Sequence, residues 1–264
     1  MEPERTKEMR NKKLFDLILT AILGAIIVLM TFIPQIGYIT VMPGVSITLV
    51  HIPVIIGVTI LGLKESIALG AFFGISSMIV ALTRATNPFD LAFKLPWISV
   101  LPRILFAIGA HFIVKGFKKL GEYKNGKFIL FSIVSLVTIA ALFFGLKEFL
   151  NEKVTSNIFY LIFISSSLLI LMFYLFYIII KNKNGGIPAA FLLSSLLHTI
   201  LVLSTVAIFK PNEFYQALGG TNNMNAIKII YSIAVANGMI EAIIASIIGT
   251  PVVMALLMRF KEDE

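Results

Sequence analysis

The sequence predicts an all-α integral membrane protein of about eight spans, and three observations carry that prediction. Of its 264 residues, 58% are hydrophobic and only 14% charged, well below the charged quarter of ordinary soluble domains. Several apolar runs approach or exceed the roughly 18 to 20 residues that a helix needs to cross a bilayer. Those runs are continuous, without the polar/apolar alternation of a transmembrane barrel.

The spans follow in order. A basic segment, 1–13, leads into the first, roughly 14–33. It carries Ala21-Ile-Leu-Gly-Ala25, small residues four apart that let helix backbones approach closely. No small-x-small site ends this run, so it reads as a span and not as a cleaved signal. The second and third, roughly 45–62 and 65–83, are parted only by the turn Gly62-Leu63-Lys64-Glu65. The third holds a second small-residue pair, Gly70-Ala-Phe-Phe-Gly74, and internal packing is the first reading of either pair alone. The fourth, roughly 99–117, is short and follows a loop, Arg84 to Ile98, that contains Asn87, Pro88, Asp90, Pro96 and Trp97. The fifth and sixth, roughly 128–147 and 157–180, come after a basic turn. That turn, Gly121-Glu-Tyr-Lys-Asn-Gly126-Lys127, has the glycine and lysine spacing of a phosphate loop. It lacks the following Ser/Thr and a preceding strand, so it makes no nucleotide site. The seventh and eighth lie at roughly 187–209 and 229–250, with a short tail at 259–264. Pro251 is expected to kink or end the last helix.

Charge sets the orientation. With the N-terminus inside, the larger share of the 22 Lys and Arg residues falls on inner segments. Among them are Arg10, Lys12, Lys13, Lys118, Lys119, Lys181, Lys183 and Arg259. Both termini are therefore expected in the cytoplasm, with the chain in the cell membrane. The net charge of +8 belongs to these topology signals and does not point to nucleic acid. With no cysteine, disulfides, thiolate chemistry and cysteine-based metal sites are excluded. The three histidines lie on separate segments, without the close spacing of a zinc motif, so no metal and no cofactor are expected.

The informative polar residues are those inside hydrocarbon. Glu241 sits in the last apolar run, YSIAVANGMIEAIIASIIG, with Asn237 one helical turn before it. An ionisable group at that depth should face the protein interior or a water-filled cavity. At about 1.5 Å per residue, Arg103 lies about 6 Å from the outer end of its span and His51 about 9 Å. On the same scale Asn237, His198 and Glu241 lie about 12, 16 and 18 Å deep. These groups converge on the outer half of the membrane, where a polar pocket open to the outside would hydrate or pair them. Arg103 offers a planar fork to a carboxylate or snorkels to headgroups. Glu241 either pairs with Arg103 or His198, or accepts hydrogen bonds from a ligand. Trp97 is an interface anchor or a lid over the pocket, His51 a packed polar residue or a contact, and His111 structural.

Four stretches together resemble the substrate-binding S components of energy-coupling factor (ECF) vitamin transporters. They are TAILGAII (Thr20–Ile27), HIPVIIGVTILGLKESIALGAFFGISSMI (His51–Ile79), NPFDLAFKLPWISVLPRILF (Asn87–Phe106), and the pair LLHTILVLS (Leu196–Ser204) with NGMIEAIIASIIGTPVV (Asn237–Val253). The resemblance covers about 14–119 and 187–260 and implies a six-helix S-component-like core, its first four helices at 14–119 and its last two at 187–258. Two additional transmembrane helices, 120–186, are inserted between the fourth and fifth core helices. It further implies capture of a vitamin from outside, with the loops before the second span and after the third as a lid. Docking through Ala21 and Ala25 on a transmembrane coupling protein with two cytoplasmic ATPases would follow, so that ATP is hydrolysed by partners and not by this chain. SVLPR and the Asn-x-x-x-Glu helix look closest to the pantothenate-type branch. On this resemblance the substrate-binding residues are Trp97, Arg103, His198, Asn237, Glu241, Asn87 and His51.

Two readings of other classes stay open. One is an autonomous proton-coupled secondary transporter using Glu241, though the chain shows no convincing inverted repeat. The other is an intramembrane enzyme built on His198, Thr199, Ser194 and Ser195, but neighbours along a helix do not face each other.

Overall fold

A computed structural model describes residues 2–42, 45–85, 88–123, 125–150, 156–180, 186–217 and 237–262, with Ile227, Ile230 and Ile233. The order is α1 (Glu2–Phe32), α2 (Pro34–Gly37), β1 (Tyr38–Met42), β2 (Val45–Thr48), α3 (His51–Ile60), α4 (Leu63–Arg84), α5 (Pro88–Ala92) and α6 (Pro96–Gly121). Then come α7 (Gly126–Leu150), α8 (Ser156–Ile180), α9 (Ile187–Phe209), α10 (Pro211–Ala217) and α11 (Met239–Glu262). Five helical stretches are long and apolar enough to cross a membrane: Arg10–Phe32, Leu63–Arg84, Pro96–Gly121, Ile187–Phe209 and Met239–Met258. With outward-facing Leu17, Ile22, Leu29, Leu82, Leu105 and Phe112 exposed, this is a multi-pass α-helical membrane protein. In lipid the apolar residues face outward at no cost, and only helices and closed barrels satisfy their own backbone there.

The short helix α3 is the centre of the bundle. Every residue from His51 to Thr59 is buried, and α1, α4, α6, α9 and α11 all touch it. Around it, α1 turns Leu19, Leu23 and Ile27 inward at a four-residue spacing. α4 contributes Leu69 and Phe73, α6 contributes Phe106, Ala107, Ala110 and Val114, and α11 contributes Ala245, Val253 and Met254. α9 is buried from Ile187 to Val206 at most positions, which fits its place between α6 and α11. Cations close two helix ends, where free carbonyls carry partial negative charge. Lys118 Nζ donates to Thr59 O at 2.7 Å, and Arg84 donates to Phe32 O at 2.8 Å.

α7 packs against α6, α9 and α11, and α8 packs on α7. Together they form a second apolar cluster with Leu130, Val134, Ile170, Tyr174, Leu192 and Ile243. A third cluster closes one end of the bundle, where α5 meets α10 through Ala92, Ile98, Val206 and Phe214.

The structure departs from the sequence reading in three places. The run 45–62 is not one helix: Val45–Thr48 is a strand paired with β1, and the helix begins at His51. Val-Ser-Ile-Thr is β-branched at three of four positions and favours extended backbone. The ten-residue α3, about 15 Å long, is too short to cross hydrocarbon alone. Secondly, Pro251 does not end α11, which runs through it to Glu262. Neighbouring helices and side chains can re-satisfy the backbone that an intramembrane proline frees. Thirdly, α1 begins at Glu2 rather than near residue 14, the basic segment extending the same helix.

Candidate functional site

The site is built on a close approach of α4 and α6. A Cβ added at Gly70 would lie 2.7 Å from Arg103 O, and one at Gly74 would lie 2.6 Å from Val100 Cα. Ser99 Oγ donates across the same seam to Gly74 O at 2.9 Å. The two glycines thus let the α6 backbone settle against α4, and they fix the place of Arg103. Arg103 is buried. Its guanidinium lies 5.4 Å from the Phe73 ring centre and 4.4 Å from that of Phe93, within cation–π range of both. One terminal nitrogen donates to Ile98 O at 2.9 Å, while Nε has no partner. Burial pushes up the phenol of Tyr38, on β1, and the charge of Arg103 pulls it the other way.

Next along the seam come two imidazoles. His51 and His198 stack with ring centres 5.2 Å apart and planes 10° from parallel. His51 Nε2 shares a 2.8 Å hydrogen bond with Ser195 Oγ. His198 is enclosed by Phe73 at 5.4 Å and Phe106 at 5.0 Å, and neither of its ring nitrogens has a partner. One turn further along α9 from Ser195, Thr199 carries the seam to Glu241.

Glu241 is a hub. Its Oε1 accepts the Thr48 backbone N–H at 2.7 Å and Asn237 Nδ2 at 3.4 Å. Its Oε2 accepts Thr199 Oγ1 at 3.1 Å. Gly238 allows the approach, since a Cβ there would stand 3.1 Å from Thr199 Cγ2. Among the described residues neither Arg103 nor Glu241 belongs to a salt bridge, and no cluster of His, Asp and Glu could hold a metal. The result is a buried polar seam from Arg103 through His198, His51 and Ser195 to Thr199, Glu241 and Asn237.

No family model matches the sequence. The chain is 31% identical over 137 residues to the pantothenate transporter PanT of Leuconostoc mesenteroides, covering 51% of this chain and 66% of that protein. It is 35% identical over 122 residues to the pantothenic acid transporter PanT of Lactococcus lactis, covering 40% of this chain and 61% of that one. The chain is a relative of these pantothenate transporters. That bears out the resemblance read from the sequence. The chain spans just under two thirds of the length of the relatives it matches.

Of the residues singled out in sequence, the structure brings Arg103, His51, His198, Asn237 and Glu241 into one seam. Trp97, on the first turn of α6, is 47% exposed, and Asn87 lies outside the described residues. The two small-residue motifs, alike in spacing, differ in direction. Gly70 and Gly74 face α6, whereas Ala21 and Ala25 are exposed on α1. Sequence reasoning did not single out Thr48 as a partner of Glu241, because its contribution is a backbone N–H that no side-chain pattern reports. Nor did it single out Phe73 and Phe93, two of 22 phenylalanines.

Proposed function

We propose that this chain is the substrate-binding subunit of an ECF-type importer and that it captures pantothenate from outside the cell. The observation that carries the reading is the set of open polar atoms in the seam, which includes Arg103 Nε, His51 Nδ1 and both nitrogens of His198. It stands in a chain whose relatives are named as pantothenate transporters. A buried polar atom without a partner costs on the order of 1–3 kcal/mol, and a ligand that supplies the partners recovers that cost. Pantothenate offers a carboxylate to Arg103 and hydroxyls and an amide to His198 and Asn237. His51 and Glu241 shape the walls, and Asn87 and Trp97 complete the proposed set of substrate-binding residues.

In this reading eight spans run with both termini in the cytoplasm, six forming the core and 120–186 inserted as an extra pair. A transmembrane coupling protein and two cytoplasmic ATPases supply the energy, and this chain catalyses nothing. Purified full-length protein is expected to bind pantothenate saturably without ATP, as read by calorimetry. No heat of binding with pantothenate, alongside binding of another vitamin from a panel, would remove the substrate assignment; no binding of any would remove the reading itself.

The exposed faces of Ala21 and Ala25 support a docking role for α1, because small side chains let a partner helix approach closely. Ala21→Trp is therefore expected to leave pantothenate binding unchanged and to abolish uptake by the assembled importer. Undiminished uptake in that variant would sink the docking role.

A further inference from the structure

The geometry points to Glu241 as a positioning residue that fastens the β1–β2 hairpin to the polar seam, leaving ligand contact to Arg103, His198 and Asn237. The hairpin joins α2 to α3. Its register pairs Tyr38 with Thr48 and Ile39 with Ile47, and Leu49 N–H donates to Gly37 O at 2.8 Å beside the Tyr38–Thr48 end. That end meets the seam, where the Thr48 N–H points to Glu241 Oε1 at 2.7 Å. Tyr38, its partner in the register, feels the charge of Arg103.

Glu241 is suited to holding and poorly placed for ligand contact. Its three donors come from three separate pieces of chain: Thr48 on β2, Thr199 on α9, and Asn237 just before α11. Both oxygens are occupied by these donors, in contrast to the open atoms of Arg103 and His198. A short N–H bond to a buried carboxylate is about twice as strong as one between neutral groups, which makes Thr48 the firm point of the hairpin. The idea rests on the binding role only in taking the seam beneath the hairpin as the ligand's space.

The test needs no ligand. Amide hydrogen exchange of the full-length, ligand-free protein would compare the parent with Glu241→Ala and with the near-isosteric Glu241→Gln. Protection across residues 38–42 and 45–49 is expected to fall about tenfold or more in Glu241→Ala. A smaller fall is expected in Glu241→Gln, whose amide oxygen still accepts from Thr48. Protection in α4 and α6 should be unchanged. Should Glu241→Ala not fold, the selective fall in Glu241→Gln decides. Unchanged hairpin protection in the folded variants overturns the assignment. So does a loss spread equally over the hairpin, α4 and α6, which would make Glu241 a general support of the fold. Since pantothenate is absent throughout, failure here leaves the proposed substrate untouched, and failure of pantothenate binding leaves this result readable.

Discussion

Leucine in place of Gly74 is expected to cost roughly 3 kcal/mol of stability or more, at the upper end for overpacked cores, and to remove binding with it. The first added carbon already meets backbone, 2.6 Å from Val100 Cα and 3.1 Å from Ser99 O. Backbone cannot rotate aside as a flexible side chain can, so α4 and α6 must separate. Separation would also break the Ser99–Gly74 hydrogen bond and move Phe73 away from Arg103. The control is the other small-residue motif. Ala25→Leu, on the exposed face of α1, adds three carbons into open surroundings and should leave the melting temperature of the isolated protein close to the parent's. The measurement is thermal unfolding of the two purified variants in the same detergent. Equal melting temperatures for Gly74→Leu and the parent would show that the seam has slack and would remove glycine as the reason Arg103 sits where it does.

That contrast also marks what a sequence can and cannot convey. Ala21/Ala25 and Gly70/Gly74 have the same spacing, and spacing says only that both residues share a helix face. Which face meets protein and which meets lipid is decided by the neighbours, because in hydrocarbon both faces are apolar. The five long apolar spans were legible, since an uninterrupted apolar run of span length has few alternatives. The seam was legible from depth alone: Arg103, His51, His198 and Glu241 are the costly groups, and cost in lipid drives them to one interior. The hairpin was not. Its strand Val45–Thr48 continues directly into the apolar His51–Ile60, so hydropathy merges a β segment with a helix, and only β-branching hints at the boundary. For the same reason one of the two readings of Glu241, pairing with Arg103 or His198, gives way to the Thr48 N–H, a partner on a strand that hydropathy does not separate from the helix after it.

Arg103→Met is expected to separate folding from binding, lowering affinity for pantothenate while leaving the ligand-free protein as stable as before or more so. Arg103 is always protonated, buried, and without a carboxylate bonded to it among the described residues. Taking a charge out of water costs several kcal/mol, and replacing buried charges by apolar groups of similar volume is often neutral or stabilising by about 1–4 kcal/mol. Against that stand the two ring contacts with Phe73 and Phe93, worth on the order of 0.5–2 kcal/mol each, and the bond to Ile98 O. Methionine keeps much of the ring packing through its own aromatic contacts, so the balance for the empty protein lies near zero or above it. With ligand the sign reverses. A charge-assisted bond to a carboxylate is worth about 1.5–3 kcal/mol, so affinity should fall roughly tenfold to a hundredfold or more. The paired measurement is thermal unfolding without ligand and calorimetric titration with pantothenate on the same preparation. Such a crossing is the signature of a residue kept for recognition at the expense of the resting fold. If Arg103→Met instead melts well below the parent and binds pantothenate as tightly, Arg103 is a packing element of the α4–α6 seam, and the carboxylate must be sought at His198.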